Sequence, residues 1–325
     1  MLTRVQRHLP NIPTPLAGLA LAIASLGWCW DSAFQLGSLA KWSAAIVAGV
    51  ILASLTLKFL RFPKLLWQDL GHPVAGSVVP TLAMGWMVVS HSVGQFHALA
   101  GTLLWLMAIV LHLAFLGSFV YHRAKDFELH HMIPSWFVPP VGLIVADVAF
   151  PGGALRPLAE AILGFGLIVY ALMLPAMMYR LIFSKDVPEL AKPTIAILAA
   201  PASLSLAGYL TVAEQPSMLL VGLLAGIAVL MTLLIYVAFC HLLRLPFNPG
   251  YAAFTFPMVI GATALFKLAQ QLQVWGMGAE EIQWVQGLAQ LELAVATLVV
   301  GYVSVRYLMH YAPKKHSVSA QLQHH

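Results

Sequence analysis

HPVAGSVVPTLAMGWMVVSH, residues His72 to His91, is twenty residues long, carries no Lys, Arg, Asp or Glu, opens on Pro73 and is interrupted by Pro80. A charge-free stretch of this length matches the roughly 20 apolar residues that a helix needs to cross a bilayer core. Its two prolines ask different things of the backbone. Proline in the first turn of a helix costs little, because its missing N–H has no partner there anyway. A second proline deeper in the helix removes a backbone bond, and in a membrane the freed carbonyl needs a partner or a water-filled cavity.

The same pair recurs along the chain. Pro13, Pro73, Pro134, Pro193 and Pro249 open apolar stretches at spacings of 60, 61, 59 and 56 residues. Pro80, Pro140, Pro201 and Pro257 follow inside four of them, at spacings of 60, 61 and 56, and Gly18 occupies the corresponding region of the first. Such a period marks a structural repeat. Counting apolar stretches gives ten expected spans: 13–30, 43–60, 73–91, 98–120, 135–150, 157–182, 193–212, 218–242, 251–270 and 285–309. The even-numbered ones lack interior proline apart from Pro175, and read as straight outer staves. The expectation is an all-α membrane protein built as five helical hairpins around a pore lined by the bent odd helices, including Pro80, Pro140, Pro201 and Pro257.

Composition agrees. The 325 residues are 60% hydrophobic and only 9% charged, against about 25% charged in a soluble domain, and mean hydropathy is +0.85. Positive charge sets the expected orientation, since Lys and Arg collect in cytoplasmic loops. With the N-terminus inside, 14 of the 17 Lys and Arg fall on the cytoplasmic side, leaving Lys41, Arg156 and Lys267 on or towards the other. The net charge of +5 therefore needs no nucleic-acid partner to explain it. The expected division is a cytoplasmic N-terminus (1–12), a transmembrane domain (13–310) and a cytoplasmic tail (311–325). No removable signal peptide is read at the N-terminus, and Cys29 and Cys240, near opposite faces, are not expected to pair.

Five motifs in order, PTPLAGLALAIASLGW (13–28), His72-Pro73-Val74 leading to Val79-Pro80-Thr81, IPSWFVPP (133–140), AKPTIAILAAP (191–201) and AAFTFPM (252–258), resemble the tellurite-resistance and dicarboxylate-transporter family, which includes plant slow anion channels and fungal malate permeases. The resemblance covers nearly the whole chain. It implies ten helices in five hairpins with quasi-fivefold symmetry around a central pore, one pore per subunit of a homotrimer, and a bacterial inner-membrane location. It implies transport of small anions, with Phe256 as the aromatic that closes the pore and Gly18 as the small residue facing it. One departure is Leu174-Pro175, where the bacterial tellurite-resistance branch has a glutamate before proline.

Other residues leave alternatives open. Asp147 and Lys267 are the ionisable groups of the odd spans, both towards outer ends, and a proton-coupled pump would be expected to hold one near the midplane. Lys267, about 24 Å into its helix at 1.5 Å per residue, either snorkels to the interface or gathers anions in an outer vestibule. Asp147 and Glu292 read as solvated or hydrogen-bonded anchors, and Glu292 could pair with a neighbouring helix. His72 reads as a helix-start device or as a sensor of cytoplasmic pH. His91 and His112 fall towards opposite faces and lack paired metal-ligand spacing, so no cofactor is expected. No phosphate-binding glycine loop or nucleophile motif suggests an enzyme. The two surviving readings are an anion channel gated by Phe256 and a proton-coupled carrier of C4-dicarboxylates or oxyanions such as sulfite or tellurite.

Overall fold

Proline decides where the inner elements begin. In the computed structural model, which describes residues 9–184 and 186–311, the chain is helical, with no strand among the described residues. In order, the apolar elements are α1 (Leu16–Phe34), α2 (Leu39–Arg61), α3 (Ala75–Phe96), α4 (Ala98–Lys125), α5 (Pro134–Val148), α6 (Gly153–Phe183), α7 (Glu189–Val212), α8 (Met218–Leu242), α9 (Pro249–Val274) and α10 (Ala279–Tyr311). Eight of these are long and apolar enough to cross a membrane. The exceptions are α3, which meets the test only together with the preceding helix Pro63–Gly71 across a bend of 106°, and α5, which is too short. The protein is thus a multi-pass helical membrane protein in which two of the ten expected spans are broken or short.

The second prolines restart helices where bends were expected. α7 opens as a 3-10 helix over Glu189–Ala199 and becomes α-helical at Ala200. α9 does the same, 3-10 over Pro249–Phe254 and α from Thr255. In α3 the α-helix resumes at Thr81 with Pro80 as its N-cap, and α5 is a succession of four short turns. Pro201 and Pro257 therefore lie in the first turn of an α-helix, where N–H groups need no intrahelical acceptor. Ile197 O, the carbonyl four residues before Pro201, is taken up by a tighter bond from Ala200 N–H, and beside the other breaks Thr255 N–H donates to Ala252 O and Leu82 N–H to Val79 O.

Packing separates inside from outside. α1 packs on α3 and α9, α9 on α7, α7 on the last turn of α5, and that turn on α3, so the odd elements close a ring. Each is backed by the element that follows it: α1 by α2, α3 by α4, α5 by α6, α7 by α8 and α9 by α10. In the apolar windows of α7 and α9, 72% and 78% of residues are buried, against 33% in α2, α4 and α8. Exposed Ile46, Met107 and Leu219 on those outer helices suit contact with lipid.

Basic residues at the ends of outer helices bond to the backbone of the inner segments. Lys58 Nζ donates to Ile12 O (2.7 Å), Arg123 Nη2 to Gly71 O (2.8 Å) and Arg180 Nη2 to His130 O (2.8 Å). At the end of α10 the Tyr307 hydroxyl donates to Pro249 O. Each donor thus ties the end of an outer helix to the backbone at or just before a proline-led inner segment. Lys58, Arg123 and Arg180 are buried, Arg180 at 1% exposure, so they are clasps and not free loop charges. Arg4, Arg7, Lys185, Lys314 and Lys315, also read as cytoplasmic, lie outside the described residues. Midway along, α4 braces α5: Trp105 Nε1 donates to Ala146 O (2.9 Å) and His112 Nε2 to Pro139 O (2.7 Å).

Candidate functional site

Inside the ring of odd elements the structure holds two cavities. The first, of about 210 Å³, is lined from every odd element: Gly18 and Leu21, Thr81 and Met84, Phe137 and Val141, Thr194, Ile197, Pro201 and Leu204, and Ala252, Phe256 and Pro257. Its wall is almost wholly apolar. The second, of about 80 Å³, lies towards the far ends of α1 and α9 and is lined by Ser25, Trp28, Cys29 and Ser32, by Val88, Val145 and Val148, and by Phe256, Ile260, Thr263, Phe266, Lys267 and Gln270. Phe256 is the one residue common to both walls.

Local chemistry puts Phe256 there. Asn248 Oδ1 accepts from Gly250 N–H at 2.8 Å and starts the 3-10 turn, and Thr255 Oγ1 donates back to Ala252 O at 2.6 Å where the turn changes to α. Phe256 follows directly, in the first α turn, with Pro257 fixing the next φ. Phe256 is 8% exposed and lines both cavities. Gly18 shares the first cavity; a Cβ there would meet Ala252 Cβ at 3.7 Å and Thr81 Cγ2 at 4.0 Å, ordinary contacts.

Of the other expected lining residues, Pro201 and Pro257 are on the wall. Pro80 and Pro140 stand one position behind it, and their neighbours Thr81 and Val141 line it instead. Met84, Phe137 and Leu204 were not singled out by motif, since one apolar residue in an apolar helix looks like another. Lys267 carried a usable signal. Phe256, Ile260, Thr263, Lys267 and Gln270 recur at helical spacing, so one stripe of α9 faces the second cavity.

The titratable groups are arranged unlike the expectation. Asp147 is fully buried and neither carboxylate oxygen has a hydrogen-bond partner; Glu292 is 4% exposed, with Oε2 unpartnered. Neither is a solvated anchor. Asp147 is enclosed because α5 is short and its last turn is covered by α7, where Gly208 leaves room chiefly for Ile144 Cγ2 and lets the Asp147 Cβ approach closely. Glu292 Oε2 fills the space that a side chain on Gly261 of α9 would need. His72 Nδ1 accepts from the N–H groups of Val74 and Ala75, both at 3.2 Å, as a helix-start residue does. His112 is wholly buried and spends Nε2 on Pro139 O. Glu128, His130 and His131 bring one potential ligand atom each within 4.8 Å of one another on the loop after α4, where Glu128 already pairs with His130 at 3.0 Å. Cys29 and Cys240 are both free thiols.

Comparison with known proteins agrees with this architecture. Two uncharacterized transporters of Methanocaldococcus jannaschii are similar to this chain: one is 23% identical over 229 residues, 62% of this chain and 66% of the relative. The other is 24% identical over 242 residues, 64% of this chain and 67% of the relative. The chain thus matches about two thirds of the length of each. A family model described as voltage-dependent anion channel matches residues 12–308, nearly the whole sequence, and the chain belongs to that family.

Proposed function

We propose that this protein is a passive channel for small anions whose path runs through the two cavities and is closed by the Phe256 ring. The observation that carries this is that Phe256, alone of all lining residues, belongs to both walls. An aromatic ring in an apolar constriction excludes hydrated ions, and a rotamer change is enough to withdraw it. A conduit of this kind needs weak contacts, since an ion that binds must also leave, and the apolar wall of the first cavity suits that requirement. The closed ring of odd elements supports five hairpins in a quasi-fivefold arrangement with one path per chain. The finer reading is completed by a homotrimer in a bacterial inner membrane, with lipid around it and both termini cytoplasmic, an orientation supported by the distribution of Lys and Arg.

A second reading, a proton-coupled carrier of C4-dicarboxylates or oxyanions, is favoured by Asp147 and Glu292, buried acids without partners of the kind that mark proton routes in membranes. Anion efflux from proteoliposomes separates the two. The channel reading expects Phe256→Ala to release chloride, nitrate and malate faster than the parent protein and independently of a proton gradient. Uptake that rises and falls with the proton gradient, and stops on substitution of Asp147 by Asn, would establish the carrier instead.

A further inference from the structure

A cavity with an almost wholly apolar wall has little with which to prefer an anion over a cation. The second cavity supplies what the first lacks. Lys267 lines it, eleven residues after Phe256 on the same face of α9, about 16 Å farther along the axis at 1.5 Å per residue. Lys267 is half-buried against this cavity, and among the described residues it forms no ion pair within 4.0 Å.

Around it stand groups able to donate. Thr263 turns its hydroxyl back to Val259 O at 2.9 Å, which leaves the hydroxyls of Ser25 and Ser32 and the amide of Gln270 to face the space. Trp28 closes the rim between the two serines, stacked on His91 with ring centroids 4.0 Å apart. The ammonium of Lys41 is held 5.8 Å from the Trp28 ring, so a second cation stands at the same mouth. Asp31, one turn beyond Trp28, pairs with neither lysine within 4.0 Å among the described residues. A water needs about 10–15 Å³ of such space, so a cavity of about 80 Å³ holds a small anion with part of its hydration.

We propose that Lys267, with Ser25, Ser32 and Gln270, forms an anion-binding site on the far side of Phe256 that takes one small inorganic anion and sets the preference for anions over cations. The proposal rests on reading the two cavities as an anion path, and it adds the residue that selects. Lys267 concentrates anions at the ring, and the donors replace part of their water.

Trp28 provides a readout that needs no conduction. In the full chain purified in detergent, iodide quenches a component of tryptophan fluorescence that the Trp28→Phe variant lacks, whereas caesium does not. Lys267→Gln lowers the iodide quenching constant of that component about tenfold, within the range over which a charged cleft concentrates counter-ions. Lys267→Arg keeps most of it and shows that the site tolerates substitution. Equal iodide quenching in the parent and Lys267→Gln overturns the site, as does caesium quenching as strong as that by iodide. Chloride currents through Phe256→Ala are measured separately. If they are absent while the Lys267-dependent quenching persists, the channel reading fails and the binding site stands.

Discussion

Gly18 lines the first cavity and leaves room for a methyl group, so its substitution tests the proposed passage. Gly18→Ala makes only ordinary contacts with Ala252 and Thr81, and is expected to leave the thermal unfolding temperature unchanged. Gly18→Leu occupies the cavity and is expected to lower chloride flux in a Phe256→Ala background, measured as efflux from liposomes. Asp147 offers a second test at this scale. An acid enclosed without donors bears a desolvation cost that an amide of the same shape does not share to the same degree. Asp147→Asn is therefore expected to unfold at the same temperature or higher, and a lower temperature would mean that a partner holds the carboxylate. Only its motif set Phe256 apart in sequence, because a ring lining a cavity and a ring in a packed core have the same apolar neighbours there; the structure places it in both cavity walls. Lys267 was legible as an alternative; helical spacing from Phe256 decides which face it takes. The enclosure of Asp147 and Glu292 was not legible, since it depends on which helix covers them.

The elements are held by clasps that the positive-charge pattern concealed. Arg180 reads in sequence as a cytoplasmic loop charge, yet at 1% exposure it bonds the carbonyl of His130 ahead of α5. Removing the guanidinium loses a charge-assisted hydrogen bond, worth about 1.5–3 kcal/mol. Arg180→Met is accordingly expected to lower the unfolding temperature measurably, while Lys125→Met at an exposed position is not. Close approach matters as much between α1 and α2, where a Cβ on Gly27 would collide with Ala44 Cβ and the carbonyl oxygen of Ala40. Overpacking of this kind costs about 1–3 kcal/mol, so Gly27→Val is expected to reduce the yield and unfolding temperature of the purified protein. The proline periods announced where inner elements start. They did not announce 3-10 winding, because a missing N–H is compatible with a bend or with a restarted helix, and the choice lies with the carbonyls three residues back.

For the molecule as a whole, the repeat of about 60 residues was legible because it rests on proline, which constrains the backbone wherever it occurs. That the odd elements face inward followed from the same pattern, and their greater burial agrees. The shortness of α5 and the 106° bend ahead of α3 were hidden, since hydropathy counts apolar residues and not how the backbone joins them. The proposed channel is one narrow passage inside a single chain, closed by the ring of Phe256. Its most direct test is the single-channel chloride conductance of the parent protein and of Phe256→Leu, Phe256→Val and Phe256→Ala in planar bilayers. The account predicts conductance that grows in that order as the side chain shrinks, at a reversal potential that follows chloride throughout. Four proteins that conduct equally, or none that conducts, would contradict it.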